Sequence, residues 1–339
     1  MIGIRVDAND IIATGHLMRC MAIAEQLRDM GQQVVFFVSD LLAKELVEKR
    51  DFKCICLHSE YNKKDAELDN LLMVLKKEHI DKLLIDSYEV TSTYMSKLNE
   101  CIKLVYMDDL QQERYSVDLI VNYTIGLKKE CYTSLGYLEK QLLLGNKYVP
   151  LRKEFSQSGI IVKQNIENVL ITTGGTDTYN IVLKLLNKLE TDEFSMINKK
   201  VVVGAFYDKI EQLEEYAKKN DSTEVFHNIS NMQEIMCQCD VAISAGGTTL
   251  MELCACGIPT ICFSIAENQL SGVKAFSHNG LMINAGDVRL SIEDVTDNIV
   301  ANLHKISQDC LERKRISGAM KKMIDGKGAR RIAEQLVVL

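Results

Sequence analysis

The chain has 339 residues, 47% of them apolar and 26% charged, with a formal net charge of −7. That length exceeds what one hydrophobic core serves and predicts two domains of roughly 150–180 residues each. Interleaved acidic and basic residues exclude the clustered positive charge that non-specific nucleic-acid binding requires, and no apolar run reaches the roughly 20 residues of a membrane span.

The first segment, "MIGIRV", reads as a strand that starts at the N-terminus with no secretory leader pattern, so the expected location is the cytoplasm. Further strand candidates in the first half are "QVVFFVS", "CICLHS", "KLLIDS", "KLVYMD" and "DLIVNY". Segments of helical period lie between them, among them "HLMRCMAIAEQLRDMG", "LLAKELVEKR" and "LDNLLMVLKKEHI". Apolar strands without polar alternation, separated by amphipathic helices, predict a parallel sheet covered on both faces. The pattern pauses at "LLLGNKYVPLRKEFSQSG" and restarts with "ENVLITTGG"; "KVVVGA", "EVFHNI", "VAISAG" and "PTICFS" follow. Two doubly wound α/β domains are expected, 1–150 and 151–339, facing across a cleft, with the C-terminal helix a candidate to pack back toward the first.

Three turns carry candidate chemistry. "DIIATGHLMRC" places Gly15 and His16 between the first strand and the first helix. A histidine there is either a surface residue at a helix start or a base, whose neutral form the positive helix end favours. "TTGGTD" joins a strand to a helix through Gly174 and Gly175, where backbone N–H groups and the helix start suit a phosphate, or where a tight turn simply needs glycine. "SAGGTTLMELCACGIP" repeats the arrangement with Gly246, Gly247 and Thr248, and ends its helix at Gly257 ahead of Pro259, one of only two prolines. Glu252 fits Thr249-x-x-Glu252, the form of a capping box, or is a carboxylate that accepts from a ribose diol. Neither glycine pair is a dinucleotide fingerprint or a Walker loop.

The eleven cysteines include the C-x-C pairs Cys54/Cys56, Cys237/Cys239 and Cys254/Cys256, which lack the spacing of zinc hooks. Thiols acting as small hydrophobes in a reducing compartment are expected. No metal and no cofactor is expected. Tyr88 ends a strand segment and is either a sugar contact or tuner of His16, or an aromatic at the rim. Asp108 and Asp109 read first as turn or interdomain hydrogen-bonding residues. Arg152 pairs with a diphosphate or with a neighbouring carboxylate. His58, His79, His227, His278 and His304 read as structural or surface residues.

The stretches "RVDANDIIATGHLMRC", "LIDSYEV", "YMDD", "LLLGNKYVPLRKEF", "TTGGTDTYN", "NMQEIMCQCDVAISAGGTTLMELCACGIPTICFSIAENQ" and "IDGKGARRIAEQL" resemble, in this order, the UDP-sugar hydrolases of pseudaminic acid biosynthesis, also described as spore-coat polysaccharide biosynthesis proteins. The second half is also similar to the nucleotide-binding domain of GT-B glycosyltransferases such as the lipid II-forming UDP-N-acetylglucosamine transferase. The resemblance implies a GT-B-like pair of Rossmann-like domains and hydrolysis of UDP-2,4-diacetamido-2,4,6-trideoxy-β-L-altropyranose to UDP and free sugar. It implies His16 as general base, Glu252 on the ribose, Ile229 at a backbone position that reads uracil, and Asn268 and Gln269 facing the sugar and distal phosphate. One departure is Ala13, where the family carries glycine.

UDP is a good leaving group, so this chemistry needs a cradle for the diphosphate and a base beside an attacking water. Attack by water itself implies inversion at the anomeric carbon. A glycosyltransferase with the same donor, or a nucleotide-sugar-binding protein without catalysis, would share the nucleotide site. The expected partner is a UDP-sugar, with no nucleic acid and no stable membrane insertion; the residues say nothing of oligomeric state.

Overall fold

A computed structural model describes residues 1–8, 15–157, 159–191, 193–204, 207–229 and 231–339. They divide into two compact units, one of residues 1–156 with 326–339 and the other of residues 157–325.

In the first unit the strands are β1 (Ile2–Val6), β2 (Val34–Val38), β3 (Lys53–Cys56), β4 (Lys82–Asp86), β5 (Lys103–Met107), β6 (Leu119–Asn122) and β7 (Leu142–Leu144). All pair in parallel, in the order β3-β2-β1-β4-β5-β6-β7. The helices are α1 (Gly15–Asp29), α2 (Leu41–Glu48), α3 (Lys64–Lys77), α4 (Ser92–Asn99) and the single turn α5 (Glu130–Thr133). Strands buried along their whole length, such as "IGIRV" and "VVFFV", form because apolar layers cover both sheet faces. One layer holds Leu17, Met21 and Leu27 of α1 with Phe36 and Val105; the other holds Leu68 and Leu71 of α3 with Tyr94, Phe37 and Leu83.

The second unit begins its sheet with β8 (Asn168–Gly174), β9 (Asn198–Val203) and β10 (Thr223–His227), and completes it with β11 (Val241–Ala245), β12 (Thr260–Ser264) and β13 (Ile283–Asp287). The order is β10-β9-β8-β11-β12-β13, again parallel throughout. Its helices are α6 (Ile181–Lys188), α7 (Ile210–Lys219), α8 (Met232–Cys237), α9 (Thr249–Cys256), α10 (Leu270–His278), α11 (Ile292–Gln308) and α12 (Cys310–Met323). The last helix, α13 (Gly328–Val338), belongs to the first unit and packs on α1 through Ile332, Ala333 and Leu336. Lys82 anchors its far end by donating to the Leu336 and Val337 carbonyls at 2.9 and 2.6 Å.

Two strands escaped the sequence pattern. β7 has three residues and sits at the sheet edge, and β13 reads "INAGD", rich in residues that strands usually avoid. Both form because a neighbouring strand offers its backbone, not because their side chains favour extension.

The first unit also buries a charged network beside the carboxyl end of β1. Arg5 donates to both Glu67 oxygens at 2.7 and 2.8 Å and to Asp7 at 2.6 Å; Lys64 also bonds Asp7. Burial alone would raise the Asp7 carboxyl, but Arg5 and Lys64 outweigh it and hold Asp7 well below the usual range. Charges this deep are tolerated because each one has partners.

Ile332→Ala is expected to cost about 2–5 kcal/mol, since the side chain is fully buried between α13 and α1. Denaturant unfolding checks this; a loss below about 1 kcal/mol would mean that α13 contributes little to the first unit.

Candidate functional site

The parallel topology gathers the carboxyl ends of all strands in a unit at one edge, and the order reverses between β1 and β4. At that switch point the first unit assembles a cluster. Gly15 and His16 are the first two residues of α1. Val6 and Asp86 are register partners on β1 and β4, so Asp86 ends its strand level with the end of β1. His16 Nδ1 lies 2.6 Å from Asp86 Oδ1. Arg19, one turn further along α1, spans the carboxylate with Nε at 2.6 Å from Oδ2 and Nη2 at 2.6 Å from Oδ1. Its Nη1 donates to Asp109 Oδ2 at 2.8 Å and also reaches the Tyr123 hydroxyl. The Tyr88 hydroxyl donates to the same Asp109 oxygen at 2.9 Å, and the Tyr88 ring meets the His16 ring edge-on at 4.6 Å.

Asp86 is fully buried, whereas the His16 side chain keeps 18% of its surface exposed. Burial opposes a charged Asp86, but Arg19 and the hydrogen bonds from Arg19 and His16 prevail and bring its carboxyl down to about 2. Burial, then Asp109, pushes the Tyr88 phenol up, and burial raises Tyr123 to about 12 against the opposing Arg19 charge. Both phenols stay protonated; Tyr88 donates to Asp109, and the Tyr123 oxygen accepts from Arg19. A contact of 2.6 Å between Nδ1 and an ionised carboxylate requires a proton between them. In a neutral imidazole the proton therefore sits on Nδ1, and Nε2 keeps a lone pair able to accept one.

The second unit gathers the glycine turns in the same way. Thr172 of β8 and Ser244 of β11 are register partners, so Gly174, at the end of β8, and Gly246, just after β11, lie at neighbouring strand ends. Gly174 ends β8 with φ +81°, and its carbonyl accepts from the Gly204 amide at 3.0 Å. A Cβ on Gly246 would stand 2.4 Å from a Val273 methyl carbon, so no other residue fits there without displacing α10. Space around Gly247 is open.

The two helix starts differ. Asp177 is buried and accepts from the Ile181 and Val182 amides at 2.9 and 3.0 Å, so the chain's own carboxylate occupies the start of α6. This corrects the expectation that the helix start beside Gly174 and Gly175 serves an incoming phosphate; only the loop amides of that turn stay in question. At α9, Thr248 occupies the cap position and makes no side-chain cap bond. The helix begins at Thr249, so Thr249 is not the cap residue that the Thr249-x-x-Glu252 reading requires. Glu252 lies half-buried in the first turn of α9.

The remaining expected residues are dispersed. Ile229 follows β10, half-buried, beside an open concavity that Phe226, Asn231 and Gln238 help to line. Asn268 is exposed on the short turn after β12, and Gln269 accepts there from the Ile265 amide at 3.0 Å, with its Cβ close to Gly246. Arg152 belongs to the first unit, pairs with Glu154 at 3.1 Å and lies over the Phe155 ring. Ala13 lies outside the described residues. Asp108 accepts from the Leu110 and Gln111 amides and from the Tyr132 hydroxyl, a turn role, whereas Asp109 faces Arg19 and Tyr88. Sequence reasoning passed over Asp86 and Arg19. Their signals were present in the carboxylate closing the apolar run "KLLID" and the three-residue step from His16 to Arg19.

A family model for the Glycosyltransferase family 28 C-terminal domain matches residues 168–336. Among solved structures the chain resembles Acinetobacter baumannii MurG, with a TM-score of 0.71 at 12% identity over 100% of this chain and 99% of that one. Two parallel-sheet α/β units and these neighbours define a GT-B fold. Curated relatives include the spore coat polysaccharide biosynthesis protein SpsG of Bacillus subtilis strain 168, 22% identical over 98% of this chain and 96% of its own length. Another is the UDP-2,4-diacetamido-2,4,6-trideoxy-beta-L-altropyranose hydrolase of Campylobacter jejuni, 23% identical over 81% of this chain and 96% of its own length. The chain is similar to both relatives over most of its length, and its second half carries the Glycosyltransferase family 28 C-terminal domain match.

Because the Asp86 carboxyl is lowered, its ionised form stabilises the fold. That contribution is complete above the ordinary value of 3.8 and is lost as pH falls through about 2. Urea unfolding between pH 5 and pH 2 is expected to show a steeper acid loss in the parent chain than in Asp86→Asn. Parallel curves would remove Asp86 from the acid response.

Proposed function

We propose that this chain is an enzyme that hydrolyses a UDP-linked 2,4-diacetamido-2,4,6-trideoxyhexose to UDP and free sugar, with a role in nonulosonic (pseudaminic) acid biosynthesis. The observation that carries the reading is the 2.6 Å contact of His16 Nδ1 with the buried Asp86 carboxylate, which leaves Nε2 as the proton acceptor. A relative of similar length bears the name of such a hydrolase.

In this reading His16 takes a proton from water as the water oxygen attacks the anomeric carbon, and the anomeric C–O bond to UDP breaks. Attack without a covalent sugar intermediate inverts that centre. The diphosphate leaves with its charge stabilised by backbone N–H groups of the Gly246–Gly247–Thr248 turn and the start of α9, where no side-chain cap competes. Gly174 and Gly175 supply further loop amides, Glu252 accepts from the ribose, and Ile229 lies against the base. Tyr88 and Gly15 border His16; Asn268 and Gln269 meet the sugar and distal phosphate. Arg152 is engaged by Glu154, so a diphosphate contact there would require it to leave that partner. The chemistry asks for neither metal nor cofactor.

Transfer to an acceptor is the competing reading, favoured by the Glycosyltransferase family 28 C-terminal match and the MurG-like fold. Purified protein with the UDP-sugar in ¹⁸O-water and no acceptor separates the two. Hydrolysis predicts UDP release with label in the sugar and none in UDP; turnover that waits for an added acceptor supports transfer, and binding without turnover supports a carrier.

His16→Ala is expected to lower kcat by about 10²-fold or more with UDP affinity little changed. Asp86→Asn, which disturbs the tautomer and removes one of the two carboxylates paired with Arg19, is expected to cost about 10²–10⁴ in kcat. Unchanged steady-state rates in both variants would dismiss the proposed base.

A further inference from the structure

Away from both strand-end sites, the second unit brings two cysteines together at the ends of packed helices. Cys237 is the last residue of α8 and Cys256 the last residue of α9, and α9 also packs on α12. Cys237 is half-buried and Cys256 buried; none of the eleven cysteines, all among the described residues, forms a disulfide. The Cys237 sulfur is surrounded by donors. The Gln233 side-chain amide reaches it at 3.3 Å, and the Cys256 thiol and the Gly159 backbone N–H also hydrogen-bond to it.

A cation completes the surroundings. Lys321 of α12 runs its methylenes over Gly257, where a Cβ would lie 2.4 Å from its Cε, and its Nζ passes Gly159 to donate to the Ile160 carbonyl at 2.7 Å. Ile160 N in turn donates to the Cys256 carbonyl at 3.0 Å, so the lysine is fastened to the segment that carries both cysteine contacts. The ends of α8 and α9 present partial negative charge, which opposes a thiolate. The Cys256 hydrogen bond, the Gly159 and Gln233 donors and the Lys321 charge together overcome that and the burial, holding the Cys237 thiol below its ordinary value. Cys239 and Cys262 show the contrary effect: burial pushes each up to about 12.

We propose that Cys237 and Cys256 form a hydroperoxide-reactive thiol pair, in which Cys237 attacks and Cys256 resolves. The Cys237 thiolate attacks one peroxide oxygen, the O–O bond breaks, and the departing alkoxide or hydroxide takes a proton from solvent. The sulfur is oxidised to a sulfenic acid as the peroxide is reduced. The Cys256 sulfur then attacks the sulfenic sulfur, and the S–O bond breaks. Water leaves with the Cys256 proton, and a disulfide joins the ends of α8 and α9. A partly exposed thiolate held by donors and a cation is the environment in which cysteines react selectively.

The exposed Cys101 and Cys131 provide references inside the same molecule. At pH 6, iodoacetamide followed by peptide mass spectrometry is expected to modify Cys237 about 10-fold faster than either. That figure follows from its larger thiolate fraction, discounted for the weaker nucleophilicity of an acidic thiol. Lys321→Met should move the pH midpoint of Cys237 labelling upward. With hydrogen peroxide, the unmodified chain should yield a Cys237–Cys256 cross-linked peptide that dithiothreitol reverses. Cys256→Ser should instead stop at a dimedone-reactive sulfenic acid on Cys237. Labelling of Cys237 no faster than Cys101 and Cys131 at pH 6, or peroxide treatment that leaves Cys237 unmodified, overturns the proposal whatever the substituted chains do.

Discussion

A carboxylate removed from water survives as an anion only where cations and donors replace the solvent it lost. Asp86 meets that condition through Arg19, which spans both of its oxygens, and the remaining approach is taken by the His16 ring. The arrangement orders three elements at once, because β4 supplies the anion, α1 supplies His16, Arg19 and Cys20 that contact it, and Arg19 carries on to Asp109 beyond β5. Tyr88 and Tyr123 close the network through Asp109 and Arg19. The imidazole is thereby held in one tautomer by contacts that are themselves buried. A base of the kind proposed for His16 needs that support, since a ring free to rotate would offer its lone pair in the right direction only part of the time.

The second unit uses the same parallel topology for a different purpose. Its strand ends present glycine turns rather than side-chain charge, and the two helix starts beside them are unequal. Asp177 satisfies the first amides of α6 internally, which fixes that loop and removes its helix end as an anion site. The start of α9 has no such side-chain cap, so the two turns, alike as residue patterns, differ in what they can accept. The Asp177 side chain, rather than glycine content, separates them.

Much of the architecture was legible in the residues. Continuous apolar runs such as "VVFFV" and "KLLID", spaced by helical segments, specify parallel strands because only a sheet covered on both faces buries every side chain of such a run. β7 and β13 were not legible, since short edge strands draw their stability from a neighbour's backbone. His16 stood out by its position behind a strand and a glycine. Arg19 did not, because an arginine on a helix is ordinarily solvated, and nothing local reveals that a buried carboxylate 67 positions away will claim it. Asp108 and Asp109 read alike as turn or hydrogen-bonding residues; Asp108 has the turn role and Asp109 meets Arg19, and the pair cannot be told apart without the strands around them.

What the sequence by itself determined was the alternation of strands and helices, the parallel class of both sheets and the position of the glycine turns at the strand ends of the second unit. Those features follow from local periodicity and from the conformational limits of single residues, which act over a few positions. The tertiary structure decided which of those turns are already filled, which carboxylates lie buried beside a guanidinium, and that the last helix rejoins the first unit against α1. Each of these depends on groups far apart in the chain meeting where water is absent, and charge and hydrogen bonding acquire their strength only there.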